Sequence, residues 1–289
     1  MDKSQPTKNF LTLIFLALIW GSSYILMKKG LVSFSAIQVA SLRILISAIV
    51  LLPFLRKIQK KDWIFIAIVA FFGSGIPTFI YPLAITKIDS NIAGIINSLT
   101  PVFTMIFGVL LFKTQIKIVQ VIGLLISFIG AAILILYGTS GESFSFSTYA
   151  LIAVLAPLFY GFSSNVLKAK LNHIHALSLT ANTFVLLFPF ALIILLLTDF
   201  FQILKTDAVA YVSLSYIAVL AILGTAFALV IFNFLIKKTS AIYASSVTFL
   251  MPIVVLMWGF LSGEIIGIFH FIGLSLILMG VYLLNYFKK

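Results

Sequence analysis

The chain contains no cysteine in its 289 residues. Disulfides, thiolate metal sites and cysteine nucleophiles are therefore excluded. Charge is almost as scarce: Asp, Glu, Lys and Arg make up 9% of the residues, against roughly 25% in a soluble globular domain. With 62% hydrophobic residues and a mean hydropathy of +1.23, no aqueous fold could hide so much apolar surface. Acids are the scarcer sign, seven in all: Asp2, Asp62, Asp89, Glu142, Asp199, Asp207 and Glu264. Every one falls at an end of an apolar run or between runs. No carboxylate is expected at mid-membrane, which argues against an intramembrane Asp or Glu proton relay and against a cation site around a buried acid.

Other absences narrow the chemistry. There are no paired carboxylates, no metal-ligand cluster and no nucleophile beside a base within the apolar runs. A phosphate-binding glycine loop ending in Lys and Ser or Thr is also missing. The sequence thus reads as neither enzyme nor ATP-driven pump, with no cofactor and no metal. His173 and His175 sit close together in a basic segment with no neighbouring Cys or acid, so they read as a solvated loop, and His270 reads as interfacial.

What is present is a set of apolar stretches of membrane length. A spanning helix needs about 20 mostly apolar residues, because the hydrocarbon core is about 30 Å thick and a helix rises about 1.5 Å per residue. Ten stretches qualify: 10–27, 36–55, 63–85, 92–112 and 118–137, then 149–167, 176–198, 211–236, 242–261 and 268–287. The first follows Lys3 and Lys8 as a signal peptide would, but its length and the nine runs after it mark a permanent helix.

A formal net charge of +12 would suggest nucleic acid in a soluble protein. Here the lysines and arginines concentrate at alternate ends of the spans. With the N-terminus inside, the outside loops hold only Lys28, Lys29, Lys87 and Lys205, while Arg43 lies within the second span. The bias predicts both termini in the cytoplasm and an even number of spans. The expected partners are the lipid bilayer and a small-molecule substrate, not nucleic acid; no oligomeric state is specified.

The chain also repeats itself. A shift of 151 residues superposes the third and fourth spans on the eighth and ninth, pairing Gly73 with Gly224, Lys87 with Lys238, Pro101 with Pro252 and Gly108 with Gly259. At nearby shifts Gly21, Ser23 and Lys28 match Gly161, Ser163 and Lys168, and Gly123 and Gly130 match Gly273 and Gly280. Five spans per half is an odd number, so the second copy enters the membrane the other way up. The expected fold is an all-α integral membrane protein of ten transmembrane helices, built as two inverted five-helix repeats over residues 1–138 and 147–289. Inverted repeats recur in secondary transporters, where two similar bundles exchange conformations around a central site.

Candidate site residues are those that lipid disfavours. Pro101 and Pro252 lack an amide proton and free the carbonyls of Asn97 and Thr248, which must then face protein, water or ligand. Two readings stand: Asn97 and Thr248 line a substrate cavity, or both prolines are packing kinks. Arg43 likewise reads as a docking point for a carboxylate or phosphate, or as a structural residue bonding carbonyls or snorkelling. Trp20, Tyr24, Tyr81, Tyr160, Asn165 and Asn233 could complete a mixed aromatic and polar pocket, with interface anchoring as the alternative for the aromatics.

These features include Trp20-Gly21-Ser22-Ser23-Tyr24 followed by Lys28, then Arg43, the segments 93–101 and 244–252, Gly263-Glu264, Gly273 and Gly280. Together they resemble the drug/metabolite transporter superfamily, specifically its ten-helix EamA-type members. One departure is that Phe112-Lys113 stands where the second half has Gly263-Glu264. The resemblance implies two EamA domains, a central cavity between spans one, three and four and spans six, eight and nine, and alternating access. It also implies a bacterial-type plasma membrane and amino acids, related metabolites or drugs as substrates, often exported. The expected function is secondary transport, in the export direction, of an amino acid or related zwitterion. Efflux of cationic drugs and lipid handling are the alternatives.

Overall fold

The computed structural model describes residues 4–87, 93, 96–137, 148–261 and 267–286. Among them there is no strand. Six helices are long and apolar enough to cross a membrane: Pro6–Gly30, Ala36–Phe54, Lys60–Ile85, Leu151–Lys170, Ala176–Leu196 and Ala210–Lys238. Four shorter apolar helices, Thr100–Phe112, Ile118–Ile133, Ala241–Val254 and Ile268–Leu284, fall at the remaining predicted spans. We number these ten segments as spans one to ten in chain order. The protein is an all-helical integral membrane protein.

Its surface is the reverse of a soluble one. Large apolar side chains such as Leu110 and Leu197 are exposed, while Gln38, Ser41, Ser47 and Thr104 are wholly buried. A helix bundle in lipid gains nothing by hiding leucine, so the small and polar residues turn inward.

Local signals set the helix ends. Ser35 caps span two in a reciprocal box, its hydroxyl accepting from the Gln38 amide at 3.3 Å while Gln38 Oε1 accepts from the Ser35 amide at 2.8 Å. Lys113 ends span four in the left-handed region with φ 51°, allowing the Thr114 amide to reach the Gly108 carbonyl at 2.8 Å. A short helix, Phe200–Thr206, follows span seven, where the sequence reading expected only a loop.

The main packing contacts recur with the two halves exchanged. Span one lies on spans eight and nine, and span six on spans three and four; spans two and seven pair, and so do five and ten. The repeat glycines mark the crossings. A Cβ on Gly21 would lie 2.7 Å from Val254 Cβ, and one on Gly161 would lie 2.7 Å from the Thr104 amide nitrogen, so both helices approach to glycine distance.

Spans three and eight each contain a π-helical turn, Phe71–Gly75 and Leu220–Phe227. Such a turn shifts the hydrogen-bond register and leaves carbonyls to be met by side chains. In span eight three carbonyls are met in this way. Trp20 Nε1 donates to Gly224 O at 2.8 Å, Ser47 Oγ to Ala221 O at 2.9 Å and Thr225 Oγ1 to Leu220 O at 3.2 Å.

The helix breaks differ from the expectation of mid-span proline kinks. Span four begins afresh at Thr100 with Pro101 in its first turn, a position where no amide donor is missed. In span nine the interruption falls at Ser246, between Ala241–Ser245 and Val247–Leu261, and Pro252 lies inside the second segment. The carbonyls expected to be free are met by hydroxyls: Thr100 Oγ1 donates to Asn97 O at 2.7 Å, and Ser98 Oγ to Thr248 O at 3.5 Å.

Candidate functional site

A cavity of mixed polar and apolar lining lies between the two halves, with about 140 Å³ open to the centre of a water molecule. Both halves supply its walls. Trp20, Tyr24, Arg43, Tyr81 and Asn97 come from the first half of the chain, and Tyr160, Asn233 and Thr248 from the second. Those eight predicted residues therefore meet in one place. Asn165 does not line the cavity: its Nδ2 donates to Thr104 O at 2.8 Å and Gly161 O at 2.9 Å, joining spans six and four.

The interior is organised around aromatic rings and hydroxyls. Tyr81 stands edge-on to Tyr24 with ring centroids 6.5 Å apart and stacks on Tyr160 at 6.3 Å. Its hydroxyl donates to Asn97 Oδ1 at 2.8 Å, and Asn97 Nδ2 donates to the Met251 sulfur at 3.5 Å across the junction of the halves. Asn233 Nδ2 donates to Thr180 Oγ1 at 2.9 Å. Trp20 packs edge-on against Phe232, with centroids 5.2 Å apart.

Arg43 reaches the cavity from span two. Its Nε and Nη2 both donate to Thr225 Oγ1, at 3.4 and 3.2 Å. Thr225 belongs to the π-helical turn of span eight, so the turn that exposes main-chain carbonyls also presents the hydroxyl that holds the guanidinium. Sequence reasoning missed Thr225, as it missed the hydroxyls of Ser23, Ser74, Thr78, Ser163, Ser164, Thr180 and Thr183 that also face the cavity. The repeat match of Ser23 with Ser163 was a usable signal. The others look like any serine or threonine in a membrane helix.

Beyond the cavity, spans six and eight are tied at their C-terminal ends. Lys168 Nζ donates to Lys237 O at 2.8 Å, and Lys237 Nζ donates to Leu171 O at 2.9 Å and to Ile174 O. The repeat partner of Lys168, Lys28, is exposed. His173 sits in an exposed turn, as a solvated loop residue would, but the expectation that it has no acidic neighbour is corrected: its Nε2 lies 3.1 Å from Asp62 Oδ2 at the start of span three. The sequence hid this because the partner stands 111 residues upstream. Of the remaining acids, Asp199 accepts from Gln38 Nε2 at 2.8 Å and Asp207 from the Val209 amide at 2.9 Å, whereas Asp2, Asp89, Glu142 and the Gly263-Glu264 pair lie outside the described residues.

The sequence profile of the EamA-like transporter family matches residues 7–136 and again residues 147–286. The chain belongs to the EamA-like transporter family. As an EamA-like chain it is a membrane transporter, not an enzyme, and its cargo is a small molecule. It is 25% identical over 286 residues to an uncharacterized transporter of Archaeoglobus fulgidus, a match covering 96% of this chain and 98% of that one. It is also 25% identical over 290 residues to the uncharacterized inner membrane transporter YedA of Escherichia coli, covering 96% and 90%. A solved structure described only as the crystal structure of a protein superposes with a TM-score of 0.72 at 16% identity, over 96% of each chain, a likeness of fold.

Proposed function

We propose that this EamA-like transporter is a secondary carrier that exposes its central cavity alternately to the two faces of the plasma membrane and exports an amino acid or related zwitterion. The observation that carries the reading is a cavity walled by both halves, into which Arg43, two amide side chains and several hydroxyls project within a lipid-facing helix bundle. Residues 1–138 and 147–289 are the two repeats, inserted in opposite senses with both termini in the cytoplasm. The exchanged pairing of spans supports this division, as does a family profile that matches twice. Two bundles of one design can trade conformations and so open the same site to either side.

Trp20, Tyr24, Arg43, Tyr81, Asn97, Tyr160, Asn233 and Thr248 form the solute site. Asn165 braces span six against span four and positions the wall rather than the cargo. No Asp or Glu lines the cavity among the described residues, which favours facilitated exchange or uniport over coupling through a buried acid and counts against efflux of cationic drugs. The test is uptake and efflux in reconstituted vesicles against a panel of amino acids, nucleosides, sugar phosphates and cationic drugs. Saturable, counterflow-stimulated movement of amino acids is expected; movement of none of the panel would overturn the reading.

A further inference from the structure

The cavity has a charge character that its mixed polar and apolar walls alone would not require. Among the described residues, Arg43 is the only side chain of its lining that is charged at neutral pH; the rest are tyrosines, amides, hydroxyls and apolar groups. The one ion pair among the described residues is Asp62 with His173, neither of which faces the cavity. A full positive charge therefore stands in the membrane interior with no carboxylate among the described residues to balance it.

The hydrogen bonding of that charge is incomplete. A guanidinium carries five N–H donors. Two of those on Arg43 converge on a single hydroxyl, Thr225 Oγ1, at 3.4 and 3.2 Å, both longer than the roughly 2.7–2.9 Å of a charge-assisted bond to a carboxylate. Its remaining donors meet no protein acceptor among the described residues. A charge at this depth needs water or a counter-ion, and the planar fork matches a carboxylate with two parallel bonds. Thr225 fixes the fork from one side and leaves the cavity side for the solute.

We infer that the cavity recognises its solute by a single carboxylate docked on Arg43, and that it rejects solutes of net positive charge and those bearing a dianionic phosphate. This rests on reading the cavity as the solute site. One fixed positive charge is balanced by one carboxylate, whereas a phosphate dianion would carry an unbalanced negative charge into the membrane, and a cation would face Arg43 with no acid to receive it. An ammonium group on the same solute finds no acid among the described lining residues, but the faces of Tyr24, Tyr81 and Tyr160 and the neutral amide and hydroxyl oxygens of the wall tolerate it without being the basis of recognition. Amino acids are thus bound through their carboxylate end.

The experiment uses the full chain in lipid nanodiscs and reads binding calorimetrically. The probes are matched triples: leucine, 4-methylpentanoate and leucinamide; phenylalanine, 3-phenylpropanoate and phenylalaninamide; serine, 3-hydroxypropanoate and serinamide. Glycerol 3-phosphate is the dianionic probe. In at least one triple the acid and the amino acid bind, while the amide binds about tenfold more weakly or not at all, and glycerol 3-phosphate does not compete. Arg43→Gln weakens the acid about tenfold and abolishes the preference for acid over amide, whereas Arg43→Lys retains part of it.

An amide that binds as tightly as its acid, competition by glycerol 3-phosphate, an Arg43→Gln variant with unchanged acid affinity, or no acid that binds would each overturn the proposal. Discrimination within the triples needs only the wild-type chain, so the proposal stays exposed to refutation even if a variant does not fold. Binding with this charge pattern but no movement of the bound acid across vesicles would sink the carrier reading and leave the selectivity intact. Transport without the pattern would do the reverse.

Discussion

Gly130→Ala at the crossing of spans five and ten offers the sharpest structural test. A Cβ on Gly130 would lie 2.8 Å from the Gly273 carbonyl oxygen, 2.8 Å from the Ile277 amide nitrogen and 2.8 Å from Leu276 Cβ. Ordinary contact begins at 3.4 Å, so each distance falls 0.6 Å short, and two of the three neighbours are main chain that no rotamer change can move. The helices must part, weakening the nearby bond in which Ser127 Oγ donates to Ile277 O at 3.4 Å. Overpacking of this kind costs roughly 1–3 kcal/mol, against at most about 1 kcal/mol gained from alanine's helix propensity. With the full propensity gain set against it the net loss is about 0–2 kcal/mol, which at roughly 2–3 °C per kcal/mol for a chain of this size lowers the midpoint by up to about 6 °C. Gly267→Ala is the control, because a Cβ there meets only His270 Nδ1, at 3.8 Å. Thermal unfolding in nanodiscs, followed by tryptophan fluorescence, reads both variants. A Gly130→Ala midpoint at or above that of Gly267→Ala would refute the close-packed crossing.

Trp20→Phe removes the donor to the Gly224 carbonyl in the π-helical turn and is expected to destabilise by about 1–3 kcal/mol; Tyr160→Phe, at the repeat position where no such bond is made among the described residues, should cost less in the same unfolding assay. Asn165→Ala removes the bond from span six to Thr104 O of span four, together with the one to Gly161 O within span six, and should lower stability by a similar roughly 1–3 kcal/mol while leaving solute affinity within about twofold, as isothermal titration would record. Lys237→Met keeps the length of the side chain but removes its donors to Leu171 O and Ile174 O. A cysteine reporter in the cavity should then react faster from the membrane face where spans six and eight end, and an unchanged rate would show that the lysine is no latch.

Much of this architecture was legible because lipid imposes strict rules on sequence. The apolar runs located all ten helical segments, and the paired glycines Gly21 and Gly161 marked crossings where a methyl group would collide. Residues that hydrocarbon disfavours, from Trp20 and Arg43 to Asn233 and Thr248, converge on one cavity for the same reason. Asn165 obeyed the rule too, but met it by bonding carbonyls of spans four and six, and composition does not distinguish the two outcomes.

What stayed hidden depended on register or on distant partners. The π-helical turns at Phe71–Gly75 and Leu220–Phe227 read as ordinary helix, and the side chains that meet freed carbonyls of the second, Trp20 and Ser47, come from other spans. Thr225 lies 182 residues from Arg43, and Asp62 lies 111 from His173. The prolines pointed to the right spans and, through Asn97 and Thr248, to residues that line the cavity, but the breaks themselves lie earlier, at residues 98–99 and at Ser246, where no proline stands.

The absence of native cysteine makes the decisive measurement clean. Thr183→Cys puts a lone thiol on the cavity wall, to be probed with a membrane-impermeant reagent applied to one face or the other of sealed vesicles, with and without a transported solute. Alternating access predicts that conditions which raise labelling from one face lower it from the other. Free labelling from both faces at once would reveal a pore, and no labelling from either would reveal a sealed cavity; each result contradicts a carrier.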